Sequence, residues 1–418
     1  MSAPRVLSAR RPWKDRRIVL GVTGGIAAYK CVQLARDLTR LGARVDVVLT
    51  DAATRFVAPL SFEGVTGSPP LMDLFSSRGA ALHIHLAREA DAVVVAPATA
   101  DFLARAAHGR ADDLLTTLLL ATRAPVLLAP AMNDAMFSHP QTSRNLDHLE
   151  HVLGHRIAGP ATGPLAHGEG EGPGRMVEPD ELVERVGRVL GEDPLFEGKT
   201  VLVTAGPTRE RLDPVRYLGN RSSGRMGYAL AAAAWRRGAE VILVSGPGTA
   251  PPPVGPELVS VETAREMRDA VCERAGEAHL LIFAAAVADF RPSLSRESKV
   301  KRRSVSRGIE VELTPNPDVA TESRPFRRDD AVSVGFALET ENLLDEARRK
   351  LEEKGFDMIV ANDAAEEGAG FDVETNRVTF MTPSGEAREL PLLGKDEVAE
   401  EILDHLSDMA SERWTGRS

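Results

Sequence analysis

The sequence predicts an α/β protein of two doubly wound domains, each built on a mainly parallel sheet. Two observations predict this class. A short apolar strand that runs into a glycine-bearing loop and then a helix occurs twice, at residues 18–30 and 201–210. Apolar runs of strand length also alternate with helical stretches, as in parallel sheets covered by helices on both faces. The 418 residues are enough for about two or three domains.

The first of these repeats opens the predicted amino-terminal domain. The strand IVLGV leads into a glycine loop, and apolar residues then recur at helical spacing as far as Leu41. Gly42 follows, where a left-handed residue commonly ends a helix. Further strands are predicted at VDVVLT after Gly42, AVVVAP at 92–97 and PVLLAP at 125–130.

The second repeat opens the carboxyl-terminal domain in the same order. VLVTAG is followed by the helical segment YALAAAAWRRG, which ends at Gly238, and then by the strand EVILVSG. Even the helix-to-strand junctions match, with Gly-Ala-Arg-Val at 42–45 and Gly-Ala-Glu-Val at 238–241. Later strands are predicted at LLIFAAAV (280–287), VSVGFA (332–337) and DMIVAND (357–363).

A linker is predicted between the two halves. A stretch rich in glycine and proline, residues 159–179, precedes one helix, and GEDPLFEGK at 191–199 then lacks any apolar period. The predicted domains are therefore 1–193 and 194–418.

Composition narrows the class of protein. No apolar run approaches the ~20 residues of a membrane span, so we expect a soluble, cytoplasmic protein with no membrane partner. A net charge of −10 argues against nucleic acid as a partner; the basic stretch 299–303 lacks interleaved aromatic residues for base stacking.

Cys31 and Cys272 are too few for a disulfide framework or a cysteine metal site. Residues 1–17 lack a secretory apolar stretch and are predicted to be a frayed tail.

Each glycine loop is a candidate phosphate site. Backbone N–H groups at a helix start are unpaired, and the helix dipole there favours negative charge. Neither loop has the spacing of the dinucleotide fingerprint or of the GxxxxGK[ST] phosphate loop. A tight turn without a ligand therefore remains the alternative for each loop taken alone.

Longer strings resemble a known family. In the first half they are GVTGGIAAYK, HIHL (83–86), APATAD (96–101) and PAMN (130–133); in the second they are TAGPTRERLDPVRYLGNRSSGRMG (204–227), AAAVADFRP (284–292), NPD (316–318) and GFALET (335–340). In this order they resemble the bifunctional phosphopantothenoylcysteine decarboxylase/phosphopantothenate–cysteine ligases of coenzyme A biosynthesis. The resemblance implies a flavodoxin-like flavoprotein domain followed by a Rossmann-like ligase domain.

For the first domain, the resemblance implies an FMN-dependent decarboxylase. FMN would oxidise the substrate thiol to a thioaldehyde, which can accept the electrons left by CO2. His83 corresponds to the family's catalytic base and Asn133 to the amide that holds the substrate carboxylate. Taken alone, His83 could be a surface histidine and PAMN an ordinary strand end. The implied flavin contacts are Thr23, Gly24, Gly25, Thr50, Thr99, Ala100 and Asp101.

One segment departs from the family pattern. Many members carry a proton-donating cysteine before GxGRM, whereas this chain has LAHGEGEGPGRM, with His167 in place of the thiol and one extra residue. A histidine can donate a proton near neutral pH, so His167 is the predicted substitute. Glu169 and Glu171 are other possible donors, and a glycine flap that merely covers the site is the alternative.

For the second domain, the resemblance implies amide formation between a carboxylate and the amine of cysteine, with CTP forming an acyl-cytidylate. Asn220 would contact that intermediate, and Arg216 would assist the second step. Before the resemblance, Lys350 and Lys354 fit a solvated helix face equally well. The implied phosphate contacts are Gly206, Ser222, Ser223, Gly224 and Lys299. The other implied nucleotide contacts are Phe283, Ala284, Ala285, Ala286, Asp289, Pro317, Asp318, Val319, Ala320, Phe336, Lys350 and Lys354.

A divalent cation and an oligomer are also implied. Asp289 is the predicted ligand of Mg2+ or Mn2+, directly or through water, and nucleotide oxygens would provide most of the other ligands of the ion. The family's decarboxylase halves form trimers with shared FMN sites and its ligase halves form dimers, which together imply a homo-dodecamer. The expected substrates are 4'-phosphopantothenate, cysteine and CTP. Two alternatives are an active ligase fused to a flavin-binding regulatory module with impaired decarboxylation, and a nicotinamide-dependent oxidoreductase.

Overall fold

The chain divides into two compact units, Met1–Gly191 and Glu192–Ser418. The computed structural model describes residues 10–75, 81–299, 310–339, 342–363 and 373–414. The division falls two residues before the boundary that the sequence predicts at 193. Each unit has its own hydrophobic cores.

The amino-terminal unit alternates strands and helices over its first 130 residues. Its elements are β1 (Arg17–Val22), α1 (Ala28–Arg40), β2 (Arg44–Leu49), α2 (Pro59–Thr66), α3 (Leu82–Glu89), β3 (Ala92–Ala98), α4 (Ala100–Ala107), α5 (Leu114–Ala121), β4 (Val126–Pro130), α6 (Asp134–Phe137), α7 (Pro140–Asp147), β5 (Arg156–Ile157), β6 (Ala161–Pro164), β7 (Glu171–Arg175) and α8 (Pro179–Gly191).

A five-stranded parallel sheet forms the centre of this unit, in the order β2-β1-β3-β4-β5. Ile18 and Leu20 of β1 pack against α1 and α8 on one face, whereas Val19 packs against α3, α4 and α5 on the other. Alternate residues of a strand point to opposite faces, so both faces are covered. The predicted doubly wound sheet is confirmed.

The prediction of a frayed amino terminus is wrong for residues 10–17. Trp13 is fully buried, and its indole Nε1 donates a hydrogen bond to the Val183 carbonyl (3.1 Å). Arg17 belongs to β1 and forms an ion pair with Asp46. A basic stretch with one tryptophan gives no periodic pattern, so the sequence alone did not reveal that α8 provides a pocket for this ring.

The carboxyl-terminal unit repeats the alternation with more short strands. Its elements are β8 (Thr200–Ala205), β9 (Arg209–Arg211), β10 (Tyr217–Gly219), α9 (Arg225–Arg236), β11 (Glu240–Ser245), β12 (Glu257–Ser260), α10 (Ala264–Arg274), β13 (Leu280–Phe283), β14 (Phe290–Pro292), β15 (Leu313–Pro315), α11 (Val319–Ser323), β16 (Val332–Glu339), α12 (Leu343–Lys354), β17 (Met358–Asp363), β18 (Thr375–Asn376), β19 (Thr379–Met381), β20 (Ala387–Glu389), β21 (Leu393–Gly394) and α13 (Lys395–Trp414).

Its main sheet has eight strands in the order β12-β11-β8-β13-β16-β17-β19-β20. The strands are parallel from β12 to β17, and β19 and β20 are antiparallel. Helices α9 and α13 pack on one face, and α10, α11 and α12 pack on the other. The sheet is therefore doubly wound and mainly parallel, as predicted.

One predicted strand is shorter than expected. The apolar run 280–287 is a strand only as far as Phe283. Beyond it, the Ala286 N–H still donates to the Gly206 carbonyl (2.9 Å), but only an isolated parallel bridge between Pro207 and Ala286 continues the pairing with β8. The predicted helix ends are confirmed, because Gly42 and Gly238 adopt left-handed φ values of 93° and 103°. Among the described residues, no helix is long and apolar enough to cross a membrane.

Candidate active sites

The amino-terminal unit has a cavity of about 860 Å³ at the carboxyl ends of its parallel strands. Open α/β sheets bind ligands at this edge. The cavity brings together every predicted flavin contact and Asn133, which come from loops after β1, β2, β3 and β4. The predicted residues in its wall are Thr23, Gly24, Gly25, Thr50, Thr99, Ala100, Asp101, Asn133 and Glu169.

The glycine loop at this cavity is held against two neighbouring loops. A Cβ on Gly24 would lie 2.4 Å from the Cβ of Ala52, so no side chain fits there. The Thr23 hydroxyl donates to the Pro97 carbonyl (2.7 Å) and accepts from the Thr99 N–H (3.2 Å). These contacts fix the loop backbone beside the end of β3.

Helix α1 offers the most suitable anion site in this cavity. Thr50, Thr99 and Asn133 each accept a hydrogen bond from the first turn of the helix that they precede. Helix α1 instead has no side-chain cap and no acidic residue in its first turn. Its N-terminus can therefore receive a phosphate. The residues present fit the terminal phosphate of FMN.

Two predicted catalytic residues do not line this cavity. His83 lies on α3, and its buried Nδ1 atom has no hydrogen-bond partner among the described residues. His167 is exposed at the tip of the β6–β7 hairpin. Glu169, from the same tip, does line the cavity, whereas Glu171 does not. The single chain thus places one alternative donor, but neither histidine, at the flavin cavity.

The sequence did not predict the basic residues in this wall. Lys30 is buried and donates to Glu178 (2.9 Å) and to the Met176 carbonyl (3.3 Å), which ties α1 to the end of the hairpin. Arg105 donates to Asp113 (2.7 Å). Burial alone would lower the pKa of Arg105, but its hydrogen bonds and its attraction to the aspartates raise that pKa overall. No short motif marks these residues.

The carboxyl-terminal unit has a cavity of about 770 Å³ at the equivalent edge of its sheet. It brings together most of the predicted nucleotide contacts, from five separate segments. Those in its wall are Asn220, Ser222, Ser223, Gly224, Phe283, Ala284, Ala285, Ala286, Asp289, Pro317, Asp318, Val319, Ala320, Phe336, Lys350 and Lys354. Lys350 and Lys354 thus face the cavity, which removes the alternative of a purely solvated helix face.

The start of helix α9 is the candidate anion site of this second cavity. Gly224 precedes the helix with a left-handed φ of 81°, and the helix has neither a side-chain cap nor an acidic residue in its first turn. A Cβ on Gly227 would lie 2.6 Å from the Cβ of Ala205, so glycine lets α9 begin close to the end of β8. The arrangement matches that of α1 in the first unit.

Two asparagines hold the loop that follows β13. The Asn220 amide donates to the Val287 carbonyl (2.9 Å), and the Asn316 amide donates to the Ala288 carbonyl (2.7 Å). The Asn316 N–H donates to the Asp289 carbonyl (2.8 Å). The position of Asp289 therefore depends on contacts from two distant segments of the chain.

Charged residues support the opposite wall. Asp318 caps α11 and forms an ion pair with Lys354 (3.1 Å). Burial raises the pKa of Asp318, but the Thr321 N–H and Lys354 outweigh it, so that its pKa is lowered. Arg327 lies 5.0 Å from the centre of the Phe283 ring. Burial, together with the nearby Arg324, lowers the pKa of Arg327 to about 10.

Three predicted residues lie outside this cavity wall. Gly206 has a φ of 73° and packs against the Gly246 backbone. Arg216 is exposed and forms an ion pair with Asp213 (3.6 Å). Lys299 is exposed, and the rest of the basic stretch, 300–303, lies outside the described residues. Conversely, Arg221, Arg225, Asn362, Asn376 and Lys395 line the cavity without having been predicted.

A metal ion would find few protein ligands here. Among the described residues, no three His, Cys, Asp or Glu side chains are grouped so that they could hold a metal. Asp289 and Asp318 are the acidic residues in the described cavity wall. This donor set fits a cation held mainly by nucleotide oxygens, with at most one or two carboxylates.

Two family models match the chain in succession. The flavoprotein family matches residues 7–191, and the C-terminal domain of the DNA/pantothenate metabolism flavoproteins matches residues 196–409. A coenzyme A biosynthesis bifunctional protein CoaBC from Vibrio vulnificus is 46% identical over 402 residues, which cover 94% of this chain and 98% of that protein. The chain belongs to this family of coenzyme A biosynthesis bifunctional proteins.

Another member of the family, from Bacillus subtilis, is 42% identical over 404 residues, 95% of this chain and 98% of its own. The crystal structure of the C-terminal domain of a CoaBC protein is 41% identical, with a TM-score of 0.45, and covers 53% of this chain and 100% of that domain. Membership confirms the predicted bifunctional enzyme, with a flavoprotein decarboxylase unit and a ligase unit. The flavoprotein match supports FMN as cofactor. No comparison favours an impaired decarboxylase.

Proposed function

We propose that the carboxyl-terminal unit joins 4'-phosphopantothenate to cysteine with CTP as the activating nucleotide, and that the amino-terminal unit decarboxylates the product. One observation carries this proposal: each unit has a cavity at the carboxyl edge of its sheet, where an uncapped helix begins beside a glycine loop. The two cavities then serve two reactions linked by one intermediate, phosphopantothenoylcysteine.

In the ligase reaction, a carboxylate oxygen of 4'-phosphopantothenate attacks the α-phosphorus of CTP and releases pyrophosphate. The amine of cysteine then attacks the acyl carbon, CMP leaves, and the amine loses a proton. The start of α9, with Ser222 and Ser223, would hold phosphate, and Lys350 and Lys354 would offset its charge. Positioning and charge neutralisation do most of the work in such reactions.

Asn220 has the geometry of a positioning group for the acyl intermediate. Its amide already holds the Val287 carbonyl (2.9 Å), so the side chain is fixed at the cavity wall. Asp289, held by Asn316, would face Mg2+ or Mn2+ carried by the nucleotide. Arg216 would assist the attack by cysteine, although its side chain lies outside the described wall.

In the decarboxylase reaction, FMN supplies the two-electron oxidation of the substrate thiol. Asn133 would hold the substrate carboxylate. An uncharged amide suits this role, because a cation there would stabilise the carboxylate before CO2 leaves. His83 would accept a proton. Because His83 does not line the cavity of its own chain, we propose that a neighbouring copy completes each flavin site, as in the trimers implied by the resemblance.

Together, trimeric contacts between decarboxylase units and dimeric contacts between ligase units would give a dodecamer. Light scattering on the full chain measures the mass of the oligomer. A monomeric mass would contradict a shared flavin site. A cytoplasmic location stays a prediction from the sequence.

The test uses purified full-length chain with 4'-phosphopantothenate, cysteine, CTP and Mg2+, with products weighed by mass spectrometry. We expect 4'-phosphopantetheine, CMP and pyrophosphate. In Asn220→Ala, amide formation should fall about 10²-fold, while synthetic phosphopantothenoylcysteine is still decarboxylated at the wild-type rate. Absence of CMP and pyrophosphate in the wild type would refute the ligase proposal. Wild-type amide formation in the variant would refute the role of Asn220.

A further inference from the structure

Two buried polar side chains in the ligase cavity have no part in the function proposed above. Asn376 is 4% exposed and Lys395 is 8% exposed, and both line the cavity. The Oδ1 atom of Asn376 is buried and accepts no hydrogen bond from any described residue. Buried polar groups in native proteins are nearly always satisfied, so this amide indicates a group that a ligand completes.

A short ladder fixes both side chains in place. Asn376 of β18 pairs with Leu393 of β21 in the antiparallel register, and Lys395 follows two residues later at the start of α13. The Lys395 N–H donates to the Glu374 carbonyl (3.0 Å). Because both positions belong to one small backbone unit, the amide and the ammonium reach the cavity together.

The packing shows which side of the cavity this ladder occupies. Met358 and Val360 of β17 pack in one core with α9 and α13, whereas Ile359 and Ala361 pack in another with α11 and α12. Lys395, at the start of α13, is therefore on the α9 face of the sheet. Asp318, Lys350 and Lys354 come from α12 and the start of α11, on the other face.

A direct contact joins the ladder to the anion site of α9. Arg225, the first residue of α9, donates to the Glu374 carboxylate (2.5 Å). Glu374 lies two residues before Asn376, so Asn376 and Lys395 lie beside the helix start that would receive phosphate. The ammonium group of Lys395 adds a positive charge beside the start of α9. An asparagine amide offers both a donor and an acceptor.

We propose that Asn376 and Lys395 bind the triphosphate of the nucleotide, beside the start of α9. The Lys395 ammonium contacts phosphate oxygens, and charged partners make such hydrogen bonds strong. The Asn376 Nδ2 group donates to phosphate, and its Oδ1 atom accepts from water that enters with the hydrated triphosphate. This inference rests on the proposed ligase function, since it deepens the description of the same nucleotide site.

The test compares binding of CTP and CMP by isothermal titration calorimetry, with Mg2+ present, on the full-length chain. Asn376→Ala and Lys395→Met should each weaken CTP binding about tenfold or more and change CMP binding less than about twofold. Lys395→Arg keeps the charge and should retain most of the CTP affinity. Lys199→Met is the matched control, because Lys199 lies beside Trp414 and outside the cavity wall.

The ratio of the CTP and CMP affinities separates binding from folding. A variant that partly fails to fold loses binding stoichiometry, whereas the affinity ratio of its folded fraction is unchanged. Unchanged CTP affinity in both variants, or equal weakening of CTP and CMP, would overturn the inference and leave the proposed function intact. A wild-type chain that binds neither nucleotide would instead overturn the proposed function itself.

Discussion

The two cavities share their position in the sheet and are similar in volume, but they differ in charge. Among the described residues, the amino-terminal cavity is lined by three basic and four acidic side chains, and the carboxyl-terminal cavity by five basic and two acidic ones. A flavin mononucleotide carries one phosphate, whereas CTP carries three. Under the proposed function, the start of an uncapped helix beside a glycine loop would provide one phosphate contact in either unit, and side chains from other segments would adapt each cavity to its nucleotide.

Close approaches of the backbone require glycine in both units. In the amino-terminal unit, Gly24 packs against the loop after β2, where a Cβ on this glycine would lie 2.4 Å from that of Ala52. In the carboxyl-terminal unit, Gly227 lies within the helix and packs against Ala205 of the preceding strand. Gly206, in the loop after β8, makes the approach equivalent to that of Gly24, because a Cβ there would lie 2.6 Å from the Gly246 carbonyl oxygen after β11. Both loops therefore need glycine where they meet the neighbouring loop, and the carboxyl-terminal unit needs a further glycine within α9.

The largest expected effect comes from Gly24→Ala. The added methyl group overlaps Ala52, and overpacking of this kind costs about 1–3 kcal/mol, which corresponds to about tenfold or more in flavin affinity. We expect purified Gly24→Ala to lose most of its visible flavin absorbance and its decarboxylase activity, while its CTP-dependent ligation continues.

Gly64→Ala is the control, because a Cβ at Gly64 meets no atom within 4 Å. It should retain its flavin. Full flavin content in Gly24→Ala would show that the loop can move, and that the close approach of Gly24 to Ala52 is not required for flavin binding.

A more limited effect, confined to one step of the decarboxylase reaction, is expected at the tip of the β6–β7 hairpin. Glu169 lines the flavin cavity and His167 does not, so Glu169→Gln should slow reduction of the decarboxylated intermediate about 10²-fold, with CO2 release less affected. His167→Ala should change neither step by more than about twofold. Mass spectrometry of the products distinguishes an accumulated oxidised ene-thiol from 4'-phosphopantetheine. If His167→Ala slowed this reduction more than Glu169→Gln did, His167 would be the proton donor instead.

The smallest effect concerns Asp318 in the ligase cavity. Asp318→Ala removes a helix cap and should destabilise the carboxyl-terminal unit by about 1 kcal/mol. Asp318→Asn keeps the cap and loses only a solvent-screened ion pair with Lys354, worth about 0.5 kcal/mol. Both changes in the free energy of unfolding can be measured by denaturant unfolding, with the fluorescence of the carboxyl-terminal unit as the signal.

The effect of Asp318 on stability should depend on pH. Its folded pKa is lowered, so the ionised form stabilises the folded unit above the unfolded pKa of about 3.9. That contribution is lost as the pH falls through the folded pKa. The difference between the wild type and Asp318→Asn should therefore shrink on acidification, and a difference that grows instead would contradict the ion pair.

Much of the fold followed from local patterns in the sequence. The strands at 92–97 and 357–363 were predicted because apolar runs bounded by turns are typical of buried parallel strands. Gly42 and Gly238 were predicted as helix ends because a glycine accepts a left-handed backbone at little cost. Trp13 was missed, since its burial depends on Val183 of α8, 170 residues away in the chain.

The residues of the candidate sites also divide into those that the sequence predicted and those that only the structure revealed. Residues within continuous strings, such as Thr23 to Gly25 and Ser222 to Gly224, were predicted from the resemblance because each string lies in one segment, and all of them line a cavity. Asn376 and Lys395 became visible only when separate segments met at a cavity, and only the cavity distinguished Glu169 from the alternative donors His167 and Glu171. Sequence alone located the main strands and the glycine loops of both units, because these depend on neighbouring residues, but it placed a helix directly after the loop at Gly206, where the structure has strand β9 (Arg209–Arg211). Tertiary structure decided which distant side chains share a cavity with them, because that depends on strand order and on which face of the sheet each helix covers.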